Sequence, residues 1–171
     1  MEAPVPRFDA DMRQVENWAA RYDHHIEIAR SNPLKILVPI DGSPASLRAL
    51  AYVTSHTAMF APDISLIHVH LPLPSGKAVS WVGKEAVQAY YDEEADAALK
   101  PAIDQLAKAG VKAAVIKQVG DPGAEIASMA ASGFDLIVMG NKGRTALGNM
   151  VMGSVATRTI AEASVPVLLV K

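Results

Sequence analysis

Residues 134–154, FDLIVMGNKGRTALGNMVMGS, decide how this chain is read. Leu136 to Met139 form an unbroken apolar run between Asp135 and Gly140, the pattern of a strand buried on both faces of a parallel sheet. Gly140, Gly143 and Gly153 then punctuate the following stretch, and Ser154 comes where helical spacing (Val155, Ile160, Ala163) begins. A strand, a glycine-bearing loop and a helix start predict an anion site. Glycine permits positive φ and a close backbone approach, while unpaired N–H groups and the helix dipole favour phosphate. Two named motifs fail. Gly148 to Gly153 has the Walker A gap, but Ser154 stands where the lysine belongs. Gly140 and Gly143 have no glycine between them, so the dinucleotide fingerprint is absent.

Outward from that stretch, strands and helices alternate. Leu34 to Ile40 reads as a first strand, and Asp41-Gly42-Ser43-Pro44 as a helix start with Ser43 capping and Pro44 in the first turn, the helix running to about Phe60. Asp63 to His70 is a second strand, Leu71 to Lys77 a loop, and Ser80 to Ala109 a long helix that Pro101 should kink or divide at Lys100 before Gly110 stops it. Val111 to Val119 is a third strand. Gly120-Asp121-Pro122 repeats the cap-plus-proline start for a helix that Gly133 ends near Ser132. The last helix starts at Met150 or Ser154 and runs to Ala163, and Val165 to Val170 is a fifth strand. This alternation implies α/β architecture: a doubly wound five-stranded parallel sheet, order 3-2-1-4-5, with helices on both faces. Residues 1–33 form an N-terminal helical extension ahead of a domain spanning 34–171. Met12, Val15, Ala19, Tyr22, Ile26 and Ala29 make one helical face, and Asn32-Pro33 ends it.

Composition bounds the function. The chain has 171 residues, half of them hydrophobic, and a formal net charge of -2, so it lacks the basic footprint of a nucleic-acid binder. Cysteine is absent, which excludes disulfides and thiol chemistry and fits a reducing compartment. The first residues carry no signal-peptide pattern and no apolar stretch approaches the ~20 residues of a membrane span. The reading is a cytoplasmic protein.

In a sheet of this order the winding reverses between strands one and four, and ligands sit at the carboxyl ends there. Asp41 ends strand one and faces the glycine loop across that crevice. Its carboxylate suits a ribose hydroxyl or a divalent cation as well as the turn before Ser43. Lys142 and Arg144 flank Gly143 and could neutralise phosphate, Arg144 by a bidentate contact.

The spacing Gly140-x2-Gly143-x9-Gly153-Ser154 resembles the nucleotide signature of the universal stress protein family, whose ATP-binding members carry G-x2-G-x9-G-[ST] between the fourth strand and the last helix. Val38-Pro39-Ile40-Asp41-Gly42-Ser43, His68-Val69, Gly120-Asp121-Pro122 and the final apolar strand also resemble that family over residues 34–171. The resemblance implies that Pro39 and Asp41 meet the nucleoside, that the Val69 backbone meets adenine, and that Gly140, Gly143, Gly153, Ser154 and Val155 hold ribose and phosphates. Lys142 departs from the histidine many members carry there, adding charge near the phosphates.

Other polar groups read as structural. His68 and His70 share a strand face but lack a third ligand, and Asp92, Glu93, Glu94 and Asp96 read as a solvated acidic patch. Met139, Met150 and Met152 fill core gaps. No G-x-S-x-G elbow occurs and no general base stands beside the loop, so no catalytic residue is assigned. The leading function is an ATP-binding universal-stress-type protein with a nucleotide-regulated stress or signalling role, with Mg²⁺ as the accompanying cation. It pairs as a homodimer through the apolar C-terminal edge strand. An ATPase or nucleotidyl-transfer enzyme, and an interaction module with an empty pocket, are the alternatives.

Overall fold

A computed structural model describes residues 33–57, 62–74, 83–143 and 152–171. The chain divides into two units, Met1–Pro33 and Leu34–Lys171, and the second carries everything that follows. The predicted helix over 9–32 lies outside the described residues, as do Arg144 and Met150.

Strand β1 (Lys35–Pro39) is followed by helix α1 (Pro44–Ser55), β2 (Asp63–His70), α2 (Lys84–Ala109), β3 (Ala113–Val119), α3 (Pro122–Ala131), β4 (Leu136–Gly140), α4 (Ser154–Glu162) and β5 (Val167–Val170). The five strands are parallel and lie in the order β3-β2-β1-β4-β5, as the alternation implied. Strand parity divides the core. Ile36, Val38, Ile64, Leu66 and Val138 face α1 and α2, where they meet Leu50, Val53, Leu99 and Leu106. Leu37, Ile67, Ile137 and Met139 face the other way, onto Ile126 and Ala130 of α3 and Ala156 of α4. Both faces of β1 and β4 are therefore apolar and covered, which is why these strands read as continuous hydrophobic runs.

Several boundaries differ from the sequence reading for local reasons. Helix α2 runs unbroken through Pro101. Pro101 and Ala97, whose carbonyl loses its i+4 donor, are both on the exposed side, so water can satisfy that carbonyl and no second segment forms. Strand β3 starts two residues late, because Val111 N–H closes the helix end on the Leu106 carbonyl while Gly110 takes the left-handed conformation. Strand β5 begins after Pro166, which has no N–H to give and whose carbonyl accepts from Ile137 N. Helix α1 ends at Ser55 rather than near Phe60, and α2 begins at Lys84 rather than near Ser80. Residues 58–61 and 75–82 lie outside the described residues.

Candidate functional site

On the α3–α4 face, at the carboxyl ends of β1 and β4, a cavity of about 220 Å³ opens. Its first wall is the end of β1. The residues alternate faces, so Pro39 and Asp41 turn toward the cavity while Val38 packs behind, and Ile40 belongs to the core cluster behind while still reaching the cavity lining. Gly42 then turns the chain at φ 78, a conformation that side chains disfavour. The Ser43 N–H donates to Asp41 Oδ1 at 3.0 Å, and Ser43 Oγ accepts from Ser46 N at 3.2 Å as the cap of α1. Asp41 thus shapes its turn and lines the cavity at once.

The opposite wall is the glycine turn after β4. A Cβ on Gly140 would lie 2.7 Å from the backbone of Ala45, so only glycine lets β4 end against the start of α1. A Cβ on Gly143 would lie 2.9 Å from Asp41 Oδ2, so the two walls touch where the sequence set them opposite each other. Close approach accounts for these glycines. None of Gly140, Gly143 and Gly153 has a left-handed backbone, contrary to the use of positive φ expected for them.

The third wall is the start of α4. Gly153 is its N-cap, at φ -77 and ψ 157, and donates its own N–H to Asn141 O at 2.9 Å. With no side chain, it offers no acceptor to the first turn, whose Ser154, Val155 and Ala156 line the cavity. Helix α3 is finished differently: Asp121 Oδ1 accepts from Ala124 N at 3.2 Å. The other Asp121 oxygen pairs with Arg158 of α4 at 2.9 Å, and Arg158 also binds Glu162 at 2.8 Å. The hydrogen bond to Glu162, then the charges of Asp121 and Glu162, raise the Arg158 pKa above the usual arginine value.

Every sequence-predicted binding residue among the described ones lines this cavity: Pro39, Asp41, Val69, Gly140, Gly143, Gly153, Ser154 and Val155. Arg144 lies outside the described residues. Ile40, Ser46, Ile67, Pro122, Ile126 and Met139 also line it and were missed. Parity with Val69 and Pro39 signalled Ile67 on the strand, whereas Pro122 and Ile126 needed the packing of α3. The described lining holds two charges, Asp41 and Lys142, and Lys142 forms no ion pair among the described residues.

The remaining candidates fall elsewhere. His68 is buried with Nδ1 2.7 Å from the Ile40 carbonyl, and His70 packs its ring on Tyr91 with centroids 5.0 Å apart. In the acidic patch, Asp96 and Asp92 pair with Lys117 at 2.7 and 3.9 Å. Among the described residues no cluster of three His, Asp or Glu side chains could hold a metal, and no helix is long and apolar enough to cross a membrane.

The sequence model of the universal stress protein family matches residues 34–171. The chain belongs to this family. A universal stress protein of Methanocaldococcus jannaschii is 36% identical over 143 residues, covering 80% of this chain and 81% of that one. The solved structure of a second M. jannaschii universal stress protein is 31% identical with a TM-score of 0.67, covering 81% of this chain and 95% of its own. The Archaeoglobus fulgidus protein, solved in complex with dAMP, shares the fold at 23% identity and a TM-score of 0.58, over 81% of this chain and 98% of that one. Further structures of this fold are complexes with cAMP and with AMP.

Proposed function

We propose that this universal stress protein binds an adenine nucleotide, ATP with Mg²⁺, and that occupancy regulates a stress-response or signalling role. The observation that carries the reading is the meeting of three features in one cavity: the Asp41 carboxylate, the glycine turn against it, and a helix start without an acceptor of its own. Adenine lies along Ile67 and Val69, its edge against the Val69 backbone, and Asp41 takes the ribose hydroxyls. Phosphates extend past Gly143 to the first-turn N–H groups of α4, with Lys142 beside them. Asp41 is the one carboxylate among the described lining residues, too few for a protein-only cation site. Magnesium therefore arrives with the phosphates, its usual mode of binding. The nucleotide complexes of relatives with this fold support the same ligand class.

In this reading the protein is a cytoplasmic homodimer joined at β5. Val167 to Val170 form an uncharged, half-buried edge, whereas the other edge, β3, carries Lys117, a residue that discourages strand addition. Mass spectrometry of the small molecules released from purified protein tests the ligand, and light scattering tests the dimer. An adenine nucleotide and a doubled mass are expected. Absence of nucleotide together with no binding of millimolar ATP or AMP overturns the first reading, and a monomer mass overturns the second.

A further inference from the structure

Among the described residues four polar side chains are buried: Ser43, Ser46, His68 and Thr159. Each braces a segment of the cavity wall. Ser43 and Ser46 close the turn after Asp41, and Thr159 donates to Gly123 O beside Pro122 at 3.5 Å. His68 does something the others do not. It points to the α1–α2 face, opposite the cavity, as its parity with Ile64 and Leu66 requires. From there its Nδ1–H donates to the Ile40 carbonyl at 2.7 Å, while the Ile40 N–H donates to Ile67 O at 2.8 Å. Both main-chain polar groups of Ile40 are thereby held, and the His68 bond is the one on the peptide unit leading into Asp41. The carbonyl can only accept, so Nδ1 carries the proton in this contact.

We propose that His68 is a positioning residue for the cavity: acting through the sheet, it fixes the Ile40 carbonyl and so the direction in which Asp41 presents its carboxylate. A buried carbonyl deprived of its donor is driven to find another, and the nearest freedom is rotation of the Ile40–Asp41 peptide. That rotation would carry Asp41 away from Gly143. The proposal rests on the nucleotide reading only for its effect on affinity.

The test compares His68→Asn, whose amide nitrogen falls where Nδ1 stands, with His68→Leu, which has no donor. Should the leucine variant fail to fold, His68→Gln, whose amide is displaced by one methylene, replaces it. Hydrogen exchange of the Ser43 amide, which is bonded to Asp41 Oδ1, is followed without any ligand. It should quicken about tenfold in His68→Leu and stay within about twofold of the parent in His68→Asn. AMP affinity should fall about tenfold in His68→Leu, return in His68→Asn, and show no further loss when His68→Leu is added to Asp41→Ala, the outcome a double-mutant cycle expects of coupled groups. A loss of equal size with and without Asp41 marks a merely structural role and overturns the proposal, as does unchanged Ser43 exchange in the donor-free variant. If the parent binds no AMP, the nucleotide reading falls and the exchange measurement still decides the role of His68.

Discussion

Helices α1 and α4 leave the same edge of the sheet on either side of the cavity, yet their first turns are finished differently. Helix α1 closes itself, with Ser43 Oγ accepting from Ser46 N and Ser46 Oγ donating back to the Ser43 carbonyl. Helix α4 begins at Gly153, which can accept nothing through a side chain. Helix α3, next to α4, follows the first pattern with Asp121. An N-terminal turn whose donors are met by its own chain contributes stability, whereas one left open on a cavity is completed by an acceptor from elsewhere. In the proposed reading, the difference separates the helices that shape the cavity from the helix whose first turn would receive the phosphates.

Giving α4 a cap of its own should erase that difference. Gly153→Asp is compatible with φ -77, and its Cβ would meet Gly143 N and Lys142 Cα at ordinary contact distance, 3.5 Å. The carboxylate would occupy the place of a phosphate. Titration calorimetry should show ATP affinity falling about a hundredfold, roughly 2.7 kcal/mol, while thermal melting should show stability rising by about 0.5 kcal/mol. Binding and stability moving together would contradict the comparison.

A smaller effect is expected from Gly143→Ala. Its methyl would press on Asp41 Oδ2 at 2.9 Å and displace the carboxylate, weakening nucleotide binding about tenfold, close to 1.4 kcal/mol. Melting should move little, since the contact is with a side-chain end. The smallest change belongs to the closed helices. Ser43→Ala should lower stability by about 1 kcal/mol, the usual cost of an N-cap hydroxyl. Asp121→Ala should cost slightly more than Ser43→Ala, because an exposed ion pair to Arg158 goes with the cap. Urea melts of both variants check this, and neutral results would remove the structural half of the contrast.

Much of this was legible in advance for a local reason. Ser43-Pro44 and Asp121-Pro122 place a cap and a proline next to each other, and both were read as helix starts because cap chemistry spans only three residues. The apolar runs of β1 and β4 likewise announced strands covered on both faces. What could not be read depends on distant partners. Gly140 is glycine because Ala45 comes from the far side of the sheet's switch point, and no spacing rule reveals that proximity. His68 was recognised as a satisfied histidine, but its acceptor lies 28 residues away, just past the end of β1. Pro101 starts no second segment for the opposite reason: proline rules apply to an isolated helix, and here Ala97, whose carbonyl loses its donor, is exposed to solvent. Arg144, read as a phosphate ligand, lies outside the described residues.

One pair of main-chain bonds binds the outermost strand to all of this. Asn141 N–H reaches the carbonyl of Val170, and the Asn141 carbonyl receives the N–H of Gly153. The tip of β5 is thus two links from the mouth of the cavity, so a deletion that removes Val170 would loosen the threshold of α4 as well as the strand itself.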